Sequence, residues 1–184
     1  MIRLILGGAR SGKSRYAEQI ASASQKPVCY VATAKAQDAE MQARIEHHRQ
    51  SRPREWQTRE VPIHLDKVLS DISKVLSDNG LLNHCILIDC LTLWVTNLLC
   101  EGENVAEYRS DLLATLQRLQ AQPNTEIILV SNETGLGVVP MGELTRRYVD
   151  EAGWLHQSLA EIADEVILMV AGIPVPIKPR VNNL

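Results

Sequence analysis

The sequence predicts an α/β fold with a mainly parallel sheet flanked by helices. Three observations carry this reading. Short apolar runs recur along the chain, helical patterns lie between them, and a glycine-rich turn joins the first run to the first helix-compatible segment. The apolar runs are Ile2–Leu6, Val28–Ala32, Cys85–Asp89, Ile127–Ser131 and Val166–Val170. Runs this short and nearly continuous suit parallel strands covered on both faces. Leu65, Val68, Leu69, Ile72, Val75 and Leu76 repeat at three and four, which predicts an amphipathic helix. A second helix is predicted from Val105 to Gln120, with Asn104 as its N-cap and Glu107 three residues on. A third covers Leu144 to Ala163, after a loop bearing Gly135, Pro140 and Gly142. The tail from Gly172 carries Pro174, Pro176 and Pro179, so it reads as extended, an edge strand, with the last few residues frayed. No repeat, low-complexity stretch or linker interrupts the chain, and residues 1–184 read as a single domain.

The bulk numbers describe an ordinary globular protein. The chain has 184 residues, 45% hydrophobic and 22% charged, enough for one substantial core. A formal net charge of −3 argues against a general nucleic-acid binder or a membrane-surface protein. Phe is absent, so the core is built from Leu, Ile, Val and Ala. Cys29, Cys85, Cys90 and Cys100 form no C-x-x-C pair and have no histidine at zinc spacing. Three of them sit in apolar runs, where cysteine behaves as a small hydrophobe, and free thiols imply a reducing cytoplasm. The first apolar run is too short for a signal peptide, and no stretch approaches the ~20 apolar residues that span a bilayer. The expected location is the cytoplasm.

Gly7-Gly8-Ala9-Arg10-Ser11-Gly12-Lys13-Ser14 is G-x-x-x-x-G-K-[ST], placed between the first strand and the first helix. Small residues let backbone N–H groups turn inward around phosphate oxygens, and the helix presents its positive end to the same anion. Lys13 has the reach for the β- and γ-phosphates, and the Ser14 hydroxyl suits the coordination shell of Mg²⁺. The segment predicts binding of a nucleoside triphosphate.

Asp89 closes the third apolar run. An acidic residue there, beside a P-loop, suits Mg²⁺ or a metal-bound water, and otherwise reads as a solvated strand end. The segment Leu129 to Pro140 also ends a buried strand with polar residues, where open α/β sheets bind ligands. Asn132 and Glu133 could face the site, while Gly135 and Gly137 read as turn residues chosen for backbone geometry.

Between residues 38 and 57 the chain concentrates His47, His48, Arg49, Arg52 and Arg54. A zinc site does not fit, because adjacent histidines on a helix point about 100° apart and no carboxylate or thiol pattern completes one. Two readings stand. His48 lies at helical spacing from Met41 and Ile45, which makes it a core-edge histidine beside a solvated arginine face. Alternatively an imidazole attacks phosphorus and the arginines clamp the remaining phosphates.

Several segments in order closely resemble the bifunctional adenosylcobinamide kinase/adenosylcobinamide-phosphate guanylyltransferases of cobalamin biosynthesis. They are Gly7–Arg15, Tyr30–Ala34, Asp38–Ile45, His48–Pro53, Ser131–Pro140 and the closing Gly172-Ile-Pro-Val-Pro-Ile-Lys178. The resemblance implies a RecA-like P-loop NTPase fold, a homotrimer and two reactions. ATP or GTP phosphorylates the aminopropanol hydroxyl of adenosylcobinamide; GMP then moves from GTP to that phosphate through a histidine–GMP intermediate, with loss of pyrophosphate. It implies nucleotide contacts from Gly7, Gly8, Ala9, Arg10, Ser11, Gly12, Lys13 and Ser14, and from Ala32, Thr33 and Ala34. Arg49, Gln50, Ser51 and Arg52 would surround the guanylyl group, with Glu60 and Asp89 completing the site. Lys13 would be catalytic in the kinase step, His48 the nucleophile, and Ser14 and Asp89 the Mg²⁺ ligands. No nucleic-acid or membrane partner is implied. Two positions depart from the family pattern: His156 stands where Asn is usual, and Asp89 where Glu is frequent.

Two other functions compete. A small-molecule kinase needs the P-loop and Asp89 but gives His48 and its arginines no task. A regulatory GTPase would carry an Asn-Lys-x-Asp guanine reader, which this sequence lacks.

Overall fold

The computed structural model describes residues 1–35, 52–78 and 83–179, with side chains in the first helix after β3 described at residues 65–72, 74 and 75. The readings made at residues 38–51, and the frayed end, fall outside these residues. Seven strands form one sheet: β1 (Ile2–Gly7), β2 (Val28–Ala32), β3 (Gln57–Glu60), β4 (His84–Asp89), β5 (Thr125–Asn132), β6 (Glu165–Val170) and β7 (Ile173–Lys178). Five helices are α1 (Lys13–Ala23), α2 (Leu65–Asp78), α3 (Leu91–Cys100), α4 (Val105–Gln120) and α5 (Glu143–Ile162). The strand order is β3-β2-β4-β5-β1-β6-β7. Every pairing is parallel except β6 with β7.

Strand alternation sorts the core into two layers. Ile2, Leu4 and Leu6 of β1, Ile86 and Ile88 of β4, and Ile127 and Leu129 of β5 pack with residues of α2 to α5. Their neighbours Ile5, Cys85, Leu87, Ile128 and Val130 pack with Ala17 and Ala21 of α1 on the opposite face. A period of two therefore assigns a face to each strand-end residue. Asp89 shares its parity with Cys85 and Leu87, on the α1 side. Ser131 shares its parity with Ile127 and Leu129, on the α5 side.

The five apolar runs are all strands, and the three periodic segments are all helices. The proline-bearing tail is the antiparallel edge strand β7; an edge tolerates residues that lack an N–H. Two elements are absent from the sequence reading. β3 is polar and exposed along its length and forms by pairing with β2, so no apolar pattern announces it. Helix α3 is buried on most of its circumference, through Leu91, Trp94, Val95, Leu98 and Leu99, so it shows no polar face. Two local expectations are corrected. Asn104 occupies the N-cap of α4, but its side-chain amide donates to Glu107 Oε1 at 2.8 Å rather than capping the backbone. The glycines at positive φ among the described residues are Gly12, Gly102 and Gly172, so Gly135 and Gly137 are not required by a left-handed backbone.

α3 is tied to the loop after β2 by a buried amide. Asn97 Nδ2 donates to Thr33 O at 2.8 Å and to Pro62 O at 3.0 Å. Trp94 Nε1 donates to Ile63 O at 2.5 Å, anchoring the chain between β3 and α2. None of the described helices is long and apolar enough to cross a membrane. Asn97→Leu keeps the volume but leaves two carbonyls without this donor. The expected loss is about 2 kcal/mol, several degrees in the thermal midpoint, read by calorimetry; an unchanged midpoint would mean that the amide holds nothing in place.

Candidate active site

The C-terminal ends of the parallel strands meet at one pole, where Gly7, Ala32, Glu60, Asp89 and Asn132 close their strands. The loop leaving β1 is fixed by close backbone contact. A Cβ on Gly7 would sit 2.5 Å from Ser11 Oγ and 2.9 Å from Met169 O, so only glycine fits. Gly12 takes φ 93°, and a Cβ there would approach Gly172 Cα at 3.3 Å. Gly172 N donates to Ser11 O at 2.9 Å, and Glu133 N donates to Gly7 O at 3.0 Å. The β6–β7 turn and the end of β5 thus brace the loop from both sides. Lys13 Nζ reaches back to Gly8 O at 3.2 Å, over the arch of the loop. Ser11 Oγ is buried with no hydrogen-bond partner among the described residues, an unspent donor inside the loop. Gly8, Ala9 and Arg10 are exposed, and Ser14 is half-buried in the first turn of α1.

Asp89 lies beside this helix. Its charge acts on Glu18 of α1 and on Tyr30 of β2, and the charge of Lys13 acts on Cys90. The guanidinium of Arg52 stacks over the Tyr30 ring at 3.4 Å and forms an ion pair with Glu18 at 3.7 Å, longer than a hydrogen bond. Burial raises the pKa of Glu18, Arg52 opposes that rise, and Asp89 adds to it. Burial, and then Asp89, holds the Tyr30 phenol well above its ordinary range. The sequence reading placed Arg52 with the arginine-rich segment and Asp89 with the P-loop; the fold brings the two beside one tyrosine. Tyr30 and Glu18 went unnoticed because each fits its own element, Tyr30 as a strand apolar and Glu18 as a helix-surface acid.

Thr33 is fully buried, where β2 leaves the sheet. Its Oγ1 accepts from Cys90 N at 2.9 Å and donates to Cys90 O at 2.6 Å, while its own N donates to Asp89 O at 3.3 Å. Thr33 therefore fixes the backbone that carries Asp89. Ala32 pairs with Asp89 on one side and Glu60 on the other, and Glu60 is exposed on β3. Ala34 follows Thr33, half-buried. His48, Arg49, Gln50 and Ser51 lie outside the described residues. Asn132 Nδ2 donates to Thr92 Oγ1 at 3.1 Å, and its Oδ1 is buried with no partner among the described residues.

The cysteines supply no reactive thiol here. Burial pushes Cys29 up to about 11 and Cys85 up to about 12, and burial together with Asp89 raises Cys90. A cavity of about 720 Å³ opens at the opposite pole, lined by Met1, Arg3, Lys26, Asn124 and Glu126. Arg3 is paired with Glu126 and Glu165, and Lys26 with Glu126 at 3.3 Å, so those charges are spent on each other. Among the described residues no cluster of three His, Cys, Asp or Glu is placed to hold a metal. Ser14 and Asp89 offer oxygen donors, the ligand type that Mg²⁺ takes when it completes its shell from phosphates and water.

The model of the family described as cobinamide kinase / cobinamide phosphate guanyltransferase matches residues 3–177. The chain belongs to this family. Its relatives include the bifunctional adenosylcobalamin biosynthesis protein CobP of Pseudomonas aeruginosa, 52% identical over 177 residues, 95% of this chain and 96% of that one. The protein CobU of Escherichia coli, named as bifunctional in the same way, is 43% identical over 97% of this chain and its own full length. That of Salmonella typhimurium is 40% identical, again over 97% of this chain and all of the relative. These matches take in the phosphate loop, the Asp89 strand and the arginine-rich segment together.

Lys13→Ala removes a cation that would meet phosphate oxygens. Loss of one charge-assisted hydrogen bond, about 1.5–3 kcal/mol, is expected to weaken ATP binding tenfold or more by titration calorimetry. An unchanged Kd would remove Lys13 from the nucleotide site.

Proposed function

We propose that the chain carries out both activities of its family, phosphorylating adenosylcobinamide and then transferring GMP from GTP to the phosphate so formed. The observation that supports this most directly is the convergence at one pole of the loop Gly7–Ser14 with Asp89 and Arg52, in a chain whose family description joins both activities. A kinase alone would leave the arginine-rich segment without work.

In the kinase step the hydroxyl oxygen of the substrate attacks the γ-phosphorus of ATP or GTP, and the bond to the β-phosphate oxygen breaks. Lys13 offsets charge on the departing oxygens, and backbone N–H groups of residues 8–14 hold the phosphates. Ser14 and Asp89 would hold Mg²⁺, which when bound neutralises phosphate charge and aligns the transferring group. In the transfer step a neutral nitrogen of His48 attacks the α-phosphorus of GTP, forming an N–P bond as pyrophosphate leaves. The acceptor phosphate then attacks the same phosphorus, breaking the N–P bond. Arg49 and Arg52 balance the phosphate charge, while Gln50, Ser51, Glu60, Ala32, Thr33 and Ala34 surround the nucleotide.

The reading includes a homotrimer. It is supported by apolar side chains left exposed at Leu136, Val138, Val139 and Met141, and at Ile173 and Ile177 of β7. The net charge of −3 supports small-molecule rather than nucleic-acid partners, and reliance on ATP and GTP supports a cytoplasmic location.

Asp89→Asn keeps shape and removes charge, so half-maximal activity should require several-fold more Mg²⁺ without unfolding. An unchanged Mg²⁺ titration returns Asp89 to a strand-end role. The nucleophile is tested with GTP labelled at the α-phosphate. Wild type should retain label that is lost in acid and persists in alkali; His48→Ala should lose it and His47→Ala keep it. The opposite pattern moves the nucleophile to His47, and label kept by both variants sinks the histidine mechanism.

A further inference from the structure

A buried polar relay lies behind the phosphate loop, and neither reaction step as written uses it. Ser131, fully buried at the end of β5, has its Oγ 2.7 Å from His156 Nε2 of α5. His156 Nδ1 lies 3.8 Å from Glu133 Oε2, and Glu133 Oε1 accepts from Gly135 N at 2.6 Å. Ser, His and Glu in this order suggest a nucleophile triad, but Ser131 has no exposed surface and cannot meet a substrate. The relay points instead to the backbone on which it sits. Leu6 pairs with Ser131 and Gly7 with Asn132, and Glu133 N donates to Gly7 O.

We propose that His156 is a positioning residue for the phosphate loop: through Ser131 and Glu133 it fixes the end of β5, and with it Gly7. Two features make the coupling tight. Gly7 has no slack, since even a Cβ would collide with Ser11 and Met169. The segment 131–133 is held to the loop by a backbone hydrogen bond and sheet register, so a shift of its side chains moves the start of the loop. The carboxylate of Glu133 favours the tautomer with hydrogen on Nδ1, leaving Nε2 to accept from the Ser131 hydroxyl.

Protonation reverses the arrangement, because Nε2 then becomes a donor and the Ser131 hydroxyl must turn away. Burial lowers the pKa of His156 from its ordinary 6.5, and the charge of Glu133 opposes that shift. Among the described residues, Glu133 is the charged group that acts on the ring. Tyr148, also on α5, faces Glu133, Thr134 and Thr92. The relay is therefore intact while the His156 ring is neutral and is lost as the pH falls through its lowered pKa, which lies below 6.5.

The inference rests on nucleotide binding by Gly7–Ser14, so the test reads that binding directly. The Kd of a non-hydrolysable ATP analogue is measured by calorimetry from pH 8 to pH 5 for wild type, His156→Gln and Ser131→Ala, with each unfolding midpoint. Taking the ratio of variant to wild-type Kd cancels titration of the ligand. At pH 8 both variants should bind roughly fivefold or more weakly than wild type, within the usual size of coupling between sites. The ratio for His156→Gln should shrink towards one in acid, as wild type loses its own relay. If His156→Gln does not fold, Ser131→Ala, which deletes a single oxygen, carries the comparison. Variants that bind within twofold of wild type at pH 8, or a ratio that stays constant through the His156 titration as followed by NMR, overturn the role of His156. A lowered midpoint with unchanged affinity does the same. Failure of wild type to bind at any pH overturns the nucleotide site itself, and this inference with it.

Discussion

The close approach of backbone at Gly7 is the constraint on which the ligand pole depends. The carbonyl of Met169 on β6 and the side chain of Ser11 occupy the space a Cβ would need. Because β1 runs between β5 and β6, the loop that leaves it can be held from both flanks at once. It is: Glu133 N reaches Gly7 O from one side, and Gly172 N reaches Ser11 O from the other. The loop's shape is thereby set by the sheet itself. Glycine at residues 7, 12 and 172 serves this single piece of packing.

Around the loop, alternation along the strands divides labour between the two faces of the sheet. The α1 face collects Asp89, Tyr30 and Glu18, with Arg52 stacked over Tyr30 and paired with Glu18, groups brought together from four separate segments. The opposite face collects Ser131 and His156, enclosed by α5 and remote from solvent. The first set gathers charge at the C-terminal pole of the sheet, while the Ser131–His156 contact lies buried on the other face. The same partition keeps the buried cysteines, with their raised pKa values, as packing groups on the strands.

The loop after β2 is the third structural dependency. Thr33 clamps Cys90 through both its hydroxyl hydrogen and its oxygen, and Asn97 holds the carbonyl of Thr33. Asp89 is therefore positioned through two neutral side chains, those of Thr33 and Asn97. Buried polar groups satisfied this fully rigidify their surroundings, which suits a carboxylate that must hold a fixed place relative to the P-loop.

The sequence by itself determined the elements whose signals are local. Five apolar runs, three periodic helices and the glycine spacing of residues 7–14 were legible because period, length and turn chemistry act over a few residues. Motifs in order across the chain were enough to point to the family. Helix α3 escaped because burial on nearly all sides removes the polar stripe, and β3 because an exposed edge strand needs only a partner's hydrogen bonds. Tertiary structure alone decided which side chains meet: Arg52 over Tyr30, Asn97 with the carbonyls of Thr33 and Pro62, His156 with Ser131. These contacts join residues 22 to 64 positions apart. Their partners are set by strand order and register, which no local pattern of residues encodes.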